Sequence, residues 1–143
     1  MLVIKPESLE QIRQHAAETY PNECCGLLIG NIRDGRVFVS EVRRISNIQE
    51  ESARTRYMGD PHEQFRAMKE ARERGMDMVG VYHSHPDVPP RPSLYDLQHA
   101  WPGYIYLILT VRQGQPDEMC AWRLNNSETA FEQVEIAYEG DTA

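Results

Sequence analysis

The chain has 143 residues, 41% of them hydrophobic and 26% charged, with a net charge of −7. One domain spanning 1–143 is expected at this length, and the composition excludes a disordered or fibrous protein. The acidic balance argues against nonspecific nucleic-acid binding, which relies on basic patches.

In chain order, Leu9, Ile12, Ala16 and Tyr20 at helical spacing predict a first helix over 6–19, with Pro6 near its start and Pro21 just after it. The N-terminus MLVIKPESLEQIRQ lacks the pattern of a secretory signal, and no apolar run approaches the roughly 20 residues of a membrane span, so a cytoplasmic location is expected. CCGLLIG (24–30) suits a buried strand, NIRDG (31–35) a turn, and RVFVSEVRRI a returning strand. The three cysteines, Cys24, Cys25 and Cys120, form a poor disulfide framework and read as reduced thiols.

Residues 46–59 are polar and irregular. DPHE then opens a helix, with Asp60 as N-cap, Pro61 at the first position and Glu63 completing a capping box. Phe65, Met68 and Ala71 or Arg72 are expected to face the core, and Gly75 to stop the helix. MDMVGVYHSH is the third strand. A helix begins near Ser93 and ends at WPG (101–103). YIYLILTV (104–111) is a central strand, EMCAWRL its hairpin partner, and FEQVEIAY a last strand with Val134, Ile136 and Tyr138 on one face.

The stretch GVYHSHPDVPPRPSLYDL (80–97) concentrates chemistry. His83 and His85, at i and i+2 on a strand, point to one face. Neutral imidazoles are the commonest ligands of divalent transition metals. Asp96 follows after a loop stiffened by Pro86, Pro89, Pro90 and Pro92. Two histidines and a carboxylate leave a fourth position open, the pattern of a catalytic zinc site. Glu23 is an acid beside an apolar strand, as if facing a cavity. Other readings exist: S-x-x-D at 93–96 is also a helix capping box, Glu23 also fits a solvated Pro-Asn-Glu turn, and spacing alone leaves both open.

The set PNECCGLLIG and YHSHPDVPPRPSLYD resembles the JAMM (MPN+) family of zinc metallopeptidases: an upstream Glu, then His-x-His, seven residues, Ser, two residues, Asp. The resemblance implies an α/β (α+β) fold, a curved mixed β-sheet flanked by helices akin to cytidine deaminases. Deaminase chemistry is not implied, because the P-C-x-x-C ligands are missing. It further implies one zinc ion per chain held by His83, His85 and Asp96. Glu23 would be the general base on the attacking water, and Ser93 the donor to the oxyanion. The implied partner is a ubiquitin-like or sulfur-carrier protein of the ThiS/MoaD type with a C-terminal Gly-Gly, from which an amino acid such as cysteine is released. The alternatives are an isopeptidase acting on modified lysines, and a non-catalytic scaffold. Arg54, Arg56 and Tyr57 in the 46–59 loop are candidates for the substrate groove, where a Gly-Gly tail lies extended beside a strand edge.

Overall fold

The apolar run at 25–29 forms a strand because both of its faces are covered. The computed structural model describes residues 1–49 and 57–138. In β2 (Cys25–Arg33), Cys25, Leu27 and Ile29 point to one side, while Leu28, with the preceding Cys24, points to the other. Burial on both faces explains a continuous rather than alternating apolar run. β3 (Arg36–Ile45) returns antiparallel through Asp34 and Gly35, both at positive φ (52° and 75°), the conformation of a two-residue hairpin turn. The turn is therefore tighter than NIRDG suggests, and β2 runs on to Arg33.

β4 (Asp77–Pro86) pairs antiparallel with β2 and parallel with β5 (Ile105–Arg112). β6 (Gln115–Leu124) follows through a second two-residue turn at Gln113 and Gly114. Sequence periodicity did not show β1 (Leu2–Ile4), a three-residue strand defined by parallel pairing to β3. The expected single tail strand is two: β7 (Phe131–Val134) pairs with β6, whereas β8 (Ile136–Tyr138) pairs with β1.

The strand order is β7-β6-β5-β4-β2-β3-β1-β8. Consecutive β7 and β8 thus lie at opposite edges, joined by Glu135 alone, whose carbonyl accepts from the Leu2 amide (2.8 Å). Seven strand spacings would separate these edges by about 34 Å in a flat sheet. One residue cannot bridge that distance, so the sheet curls until its edges nearly meet.

Each face carries a core. α1 (Pro6–Thr19) lays Leu9, Ile12 and Ala16 against Leu28, Tyr82, Leu107 and Leu109. α2 (Pro61–Glu73) covers Cys25, Leu27, Ile29 and Met78 on the other face. It packs through Ala67 and Ala71, with Met68 half-buried, while Phe65 stays 69% exposed and Arg72 is exposed. Of the expected stripe Ala71 is buried and Met68 half-buried; Phe65 turns outward and Ala67 takes its place, because small alanines let the helix lie close to the sheet. Asp60 caps α2 by accepting from the His62 amide (2.9 Å). Glu63 does not complete a capping box; its carboxylate accepts from the Ser46 amide (2.8 Å) and hydroxyl (3.0 Å), tying the helix to the end of β3. α3 (Leu94–Gln98) has only five residues and stops short of Trp101. No helix among the described residues is long and apolar enough to cross a membrane.

Candidate metal centre

Strand parity builds the site. Cys25 pairs with His83 across β2 and β4, so position 23 lies level with position 85. Glu23, His83 and His85 therefore share the α2 face of the sheet. Ser84, between the histidines, points the other way, and its hydroxyl accepts from the Cys24 amide (2.8 Å), fixing the segment that carries Glu23. Asn47 adds a second tie: its side-chain amide donates to the Glu23 carbonyl (3.0 Å) while its oxygen accepts from the Met58 amide (3.0 Å).

Asp96 arrives from α3. Ser93 and Asp96 form a reciprocal capping box: the Ser93 hydroxyl accepts from the Asp96 amide (3.0 Å), and Asp96 Oδ2 accepts from the Ser93 amide (2.8 Å). The structural and the metal-site readings of S-x-x-D thus hold together, since the box sets the rotamer that aims Asp96 at the histidines. The Ser93 hydroxyl uses only its oxygen in this bond, leaving its hydrogen to donate.

His83 Nε2 lies 3.2 Å from His85 Nε2, and Asp96 Oδ2 lies 3.5 Å and 3.4 Å from the two nitrogens. Three ligand atoms on a tetrahedral ion with bonds of roughly 2.0–2.1 Å would sit about 3.4 Å apart. The observed triangle matches that spacing. Glu23 stands slightly farther off; a carboxylate oxygen and the two histidine nitrogens lie within 4.8 Å of one another. His85 Nδ1 lies 2.9 Å from the Pro89 carbonyl, which can only accept. The proton is thereby assigned to Nδ1, and the Nε2 lone pair faces the centre.

The electrostatics agree. All four residues are buried, yet Glu23 Oε1 and His83 Nδ1 have no hydrogen-bond partner among the described residues. Burial, with the charge of Asp96, pushes the Glu23 carboxyl up to about 9. Burial lowers His83 despite the neighbouring Asp96. Burial also opposes ionisation of Asp96, but the two adjacent imidazoles and the Ser93 amide outweigh it and hold the carboxyl well below its usual range. A dry cluster of lone pairs and carboxylates around one point lacks a positive charge, and the residues present fit a zinc ion.

Tyr57 is the one described residue of the three expected in the groove wall. Its ring stacks on His83 (centroids 4.4 Å, 25° between planes), and it opens a groove of about 350 Å³ shared with Val81, Trp101, Tyr104 and Tyr106. Arg54 and Arg56 lie outside the described residues. Cys24 and Cys25 are free, and burial pushes their thiols up to about 11 and about 12, which leaves them protonated and unreactive. Asn47 and Ser84 carried no signal in the sequence, because their roles depend on pairing between distant segments.

A curled mixed sheet carrying this triad defines a class as well as a site. Residues 5–129 match the prokaryotic homologs of the JAB domain. A desampylase from Haloferax volcanii is 42% identical over 101 residues, which cover 70% of each chain. A CysO-cysteine peptidase from Mycobacterium tuberculosis is 26% identical over 137 residues, covering 95% of this chain and 91% of that one. The solution structure of a Desulfitobacterium hafniense protein superposes with a TM-score of 0.84 at 30% identity, covering 97% of this chain and 93% of that one. The chain belongs to the family of prokaryotic homologs of the JAB domain.

Proposed function

We propose that this JAMM-type hydrolase cuts the amide bond after the C-terminal Gly-Gly of a ubiquitin-like or sulfur-carrier protein, using one zinc ion held by His83, His85 and Asp96. The observation that carries this reading is the triangle of 3.2, 3.4 and 3.5 Å, with Glu23 unpartnered beside it. Residues 1–143 act as one catalytic domain. The relatives named for desampylation and for CysO-cysteine cleavage supply the substrate class.

Zinc in this position supplies Lewis acidity. His85, with its proton held at Nδ1 by Pro89, keeps the Nε2 lone pair aimed at the centre. Glu23, held through its own carbonyl by Asn47, would be ionised by the charge of the bound cation, which opposes the burial and the Asp96 charge that raise its carboxyl to about 9. It would then take a proton from the attacking water and return it to the leaving amine. Ser93, exposed at the start of α3, donates its hydroxyl hydrogen to the carbonyl oxygen as negative charge develops. Tyr57 shields His83 and borders the groove along which a glycine tail, free of side chains, lies extended.

The leaving group separates two readings. Release of a single amino acid such as cysteine is the first. The second is an isopeptidase acting on a conjugated lysine, the reading toward which the likeness to the desampylase leans. The test is hydrolysis of a carrier extended by one residue after Gly-Gly, alongside a carrier linked to a lysine side chain, followed by intact mass with and without chelator. Chelator-sensitive loss of the single residue supports the first; cleavage of the lysine conjugate alone supports the second. Turnover of both substrates that survives metal removal would falsify the zinc mechanism.

A further inference from the structure

We infer that Thr110 and Trp122 are positioning residues for the metal centre, acting through the carbonyl groups of the proline loop that orient His85. The inference rests on reading His83, His85 and Asp96 as a metal site.

The loop that follows β4 is short of donors. Pro86, Pro89, Pro90 and Pro92 have no amide hydrogen. Within the loop the Arg91 amide donates to the Pro89 carbonyl (2.8 Å), and three carbonyls in a row also accept from outside, each from a side chain of a different strand. Thr110 Oγ1 on β5 donates to the Val88 carbonyl (2.7 Å). His85 Nδ1 on β4 donates to the Pro89 carbonyl (2.9 Å). Trp122 Nε1 on β6 donates to the Pro90 carbonyl (2.9 Å). The loop entry is fixed as well: the Asp87 amide donates to the Val111 carbonyl (2.7 Å), and Asp87 Oδ1 accepts from the Gln113 amide (2.8 Å).

The middle carbonyl is the one that matters to the centre. It assigns the His85 proton to Nδ1 and sets the direction of the ring, which such outer partners of metal-ligating histidines do generally. Successive peptide planes share a Cα, and proline fixes φ at 89 and 90. Holding the carbonyls of residues 88 and 90 therefore leaves the plane between them little freedom to turn. Thr110 and Trp122 each bring a lone hydrogen-bond donor to this loop, on strands that otherwise offer the site no ligand.

The test compares wild type with Trp122→Phe, which keeps an aromatic ring but no N–H, with Thr110→Val, which keeps the shape but no hydroxyl, and with the double variant. Zinc affinity is read by competition with a chromophoric chelator, and the melting temperature of the zinc-free protein is read in parallel. Direct outer partners of ligating histidines typically govern about 10–100-fold in affinity. One bond farther out, we expect each single variant to bind zinc about 3–10-fold more weakly and the double variant at least about 10-fold. A role in stability alone would lower the zinc-free melting temperature while leaving affinity within about twofold, and that result overturns the inference. If the double variant does not fold, Trp122→Phe, which preserves packing, decides alone. Wild type that binds no zinc removes the metal site itself, an outcome distinct from an unchanged affinity between variants.

Discussion

Both faces of the sheet bury histidine, one on the α1 face and two on the α2 face, and the faces are not alike. On the α1 face, His15 Nδ1 lies 2.7 Å from the Tyr82 hydroxyl, inside an apolar core of Leu, Ile and Val. On the α2 face, His83 has one nitrogen without a partner and the other pointed at His85 and Asp96. A buried polar group normally finds its hydrogen bond, as His15 does. Where several buried lone pairs converge on one point, as Nε2 of His83 and His85 do with the Asp96 carboxylate, a cation is the partner that would satisfy them. The contrast between His15 and the proposed ligands is thus read from what their nitrogens face rather than from burial, which they share.

The largest effects should come from breaking the α2-face cluster. His83→Ala or Asp96→Ala should weaken zinc binding by more than the roughly 10–100-fold typical of an outer partner, and abolish turnover. Full zinc content in both variants, measured by atomic absorption after dialysis, would remove the ligand assignment. Glu23→Gln should leave zinc bound yet slow kcat by about 10²–10⁴-fold, the usual contribution of a general base. Chelation should stop the reaction, whereas mild thiol alkylation should not, because Cys24 and Cys25 are buried and protonated.

Ser93→Ala should cost about 10²–10³-fold in kcat if the hydroxyl donates to the oxyanion, with zinc content unchanged. Since Ser93 also caps α3, the companion variant is Ser93→Asp, which retains an acceptor suited to the cap but has no hydrogen to donate. A rescue of kcat by Asp would show that only the cap matters.

His15 offers the matching test on the α1 face. Burial, together with the charge of Arg44, lowers its pKa from 6.5 to about 4. Below pH 6.5 the unfolded chain takes up a proton that the folded chain refuses, so stability falls with pH between 6.5 and about 4. The stabilisation is complete above that window, and its loss across it is on the order of 3 kcal/mol. Urea unfolding of the zinc-free protein at pH 7 and pH 4.5 should show a smaller decrease for His15→Gln than for wild type. Equal decreases would mean that His15 is not held neutral.

The sequence made the site more legible than the fold. His83, His85, Ser93 and Asp96 sit within one stretch, and local rules relate them: strand parity for the histidines, a capping box for the other two. Glu23 was harder, because only the β2–β4 register, unknown before the structure, brings it level with His85. The same limit hid β1 and split the tail. Leu2–Ile4 is too short to show a period, and FEQVEIAY alternates without a visible break at Glu135. What separates β7 from β8 is the closure of the sheet, a property of the whole chain rather than of those eight residues.

The smallest expected effect concerns α2, where periodicity pointed to Phe65, Met68 and Ala71 or Arg72, and the structure buries Ala67 and Ala71 with Phe65 left exposed. Aromatic character alone favours Phe65 as a core residue, since burying such a ring is worth roughly 1.5–3 kcal/mol. The helix instead approaches the sheet through two fully buried alanines, and a ring at either position would push it away. Phe65→Ala should therefore change stability by no more than about 0.5 kcal/mol, as for an ordinary surface position. Ala71→Leu, a smaller change in chemistry, should cost about 1–3 kcal/mol through overpacking. Chemical denaturation of the two variants sets the register of α2. If Phe65→Ala proves the more damaging, the helix is rotated toward the stripe that the sequence pattern favours, and Glu63 can no longer reach the end of β3 as it does here.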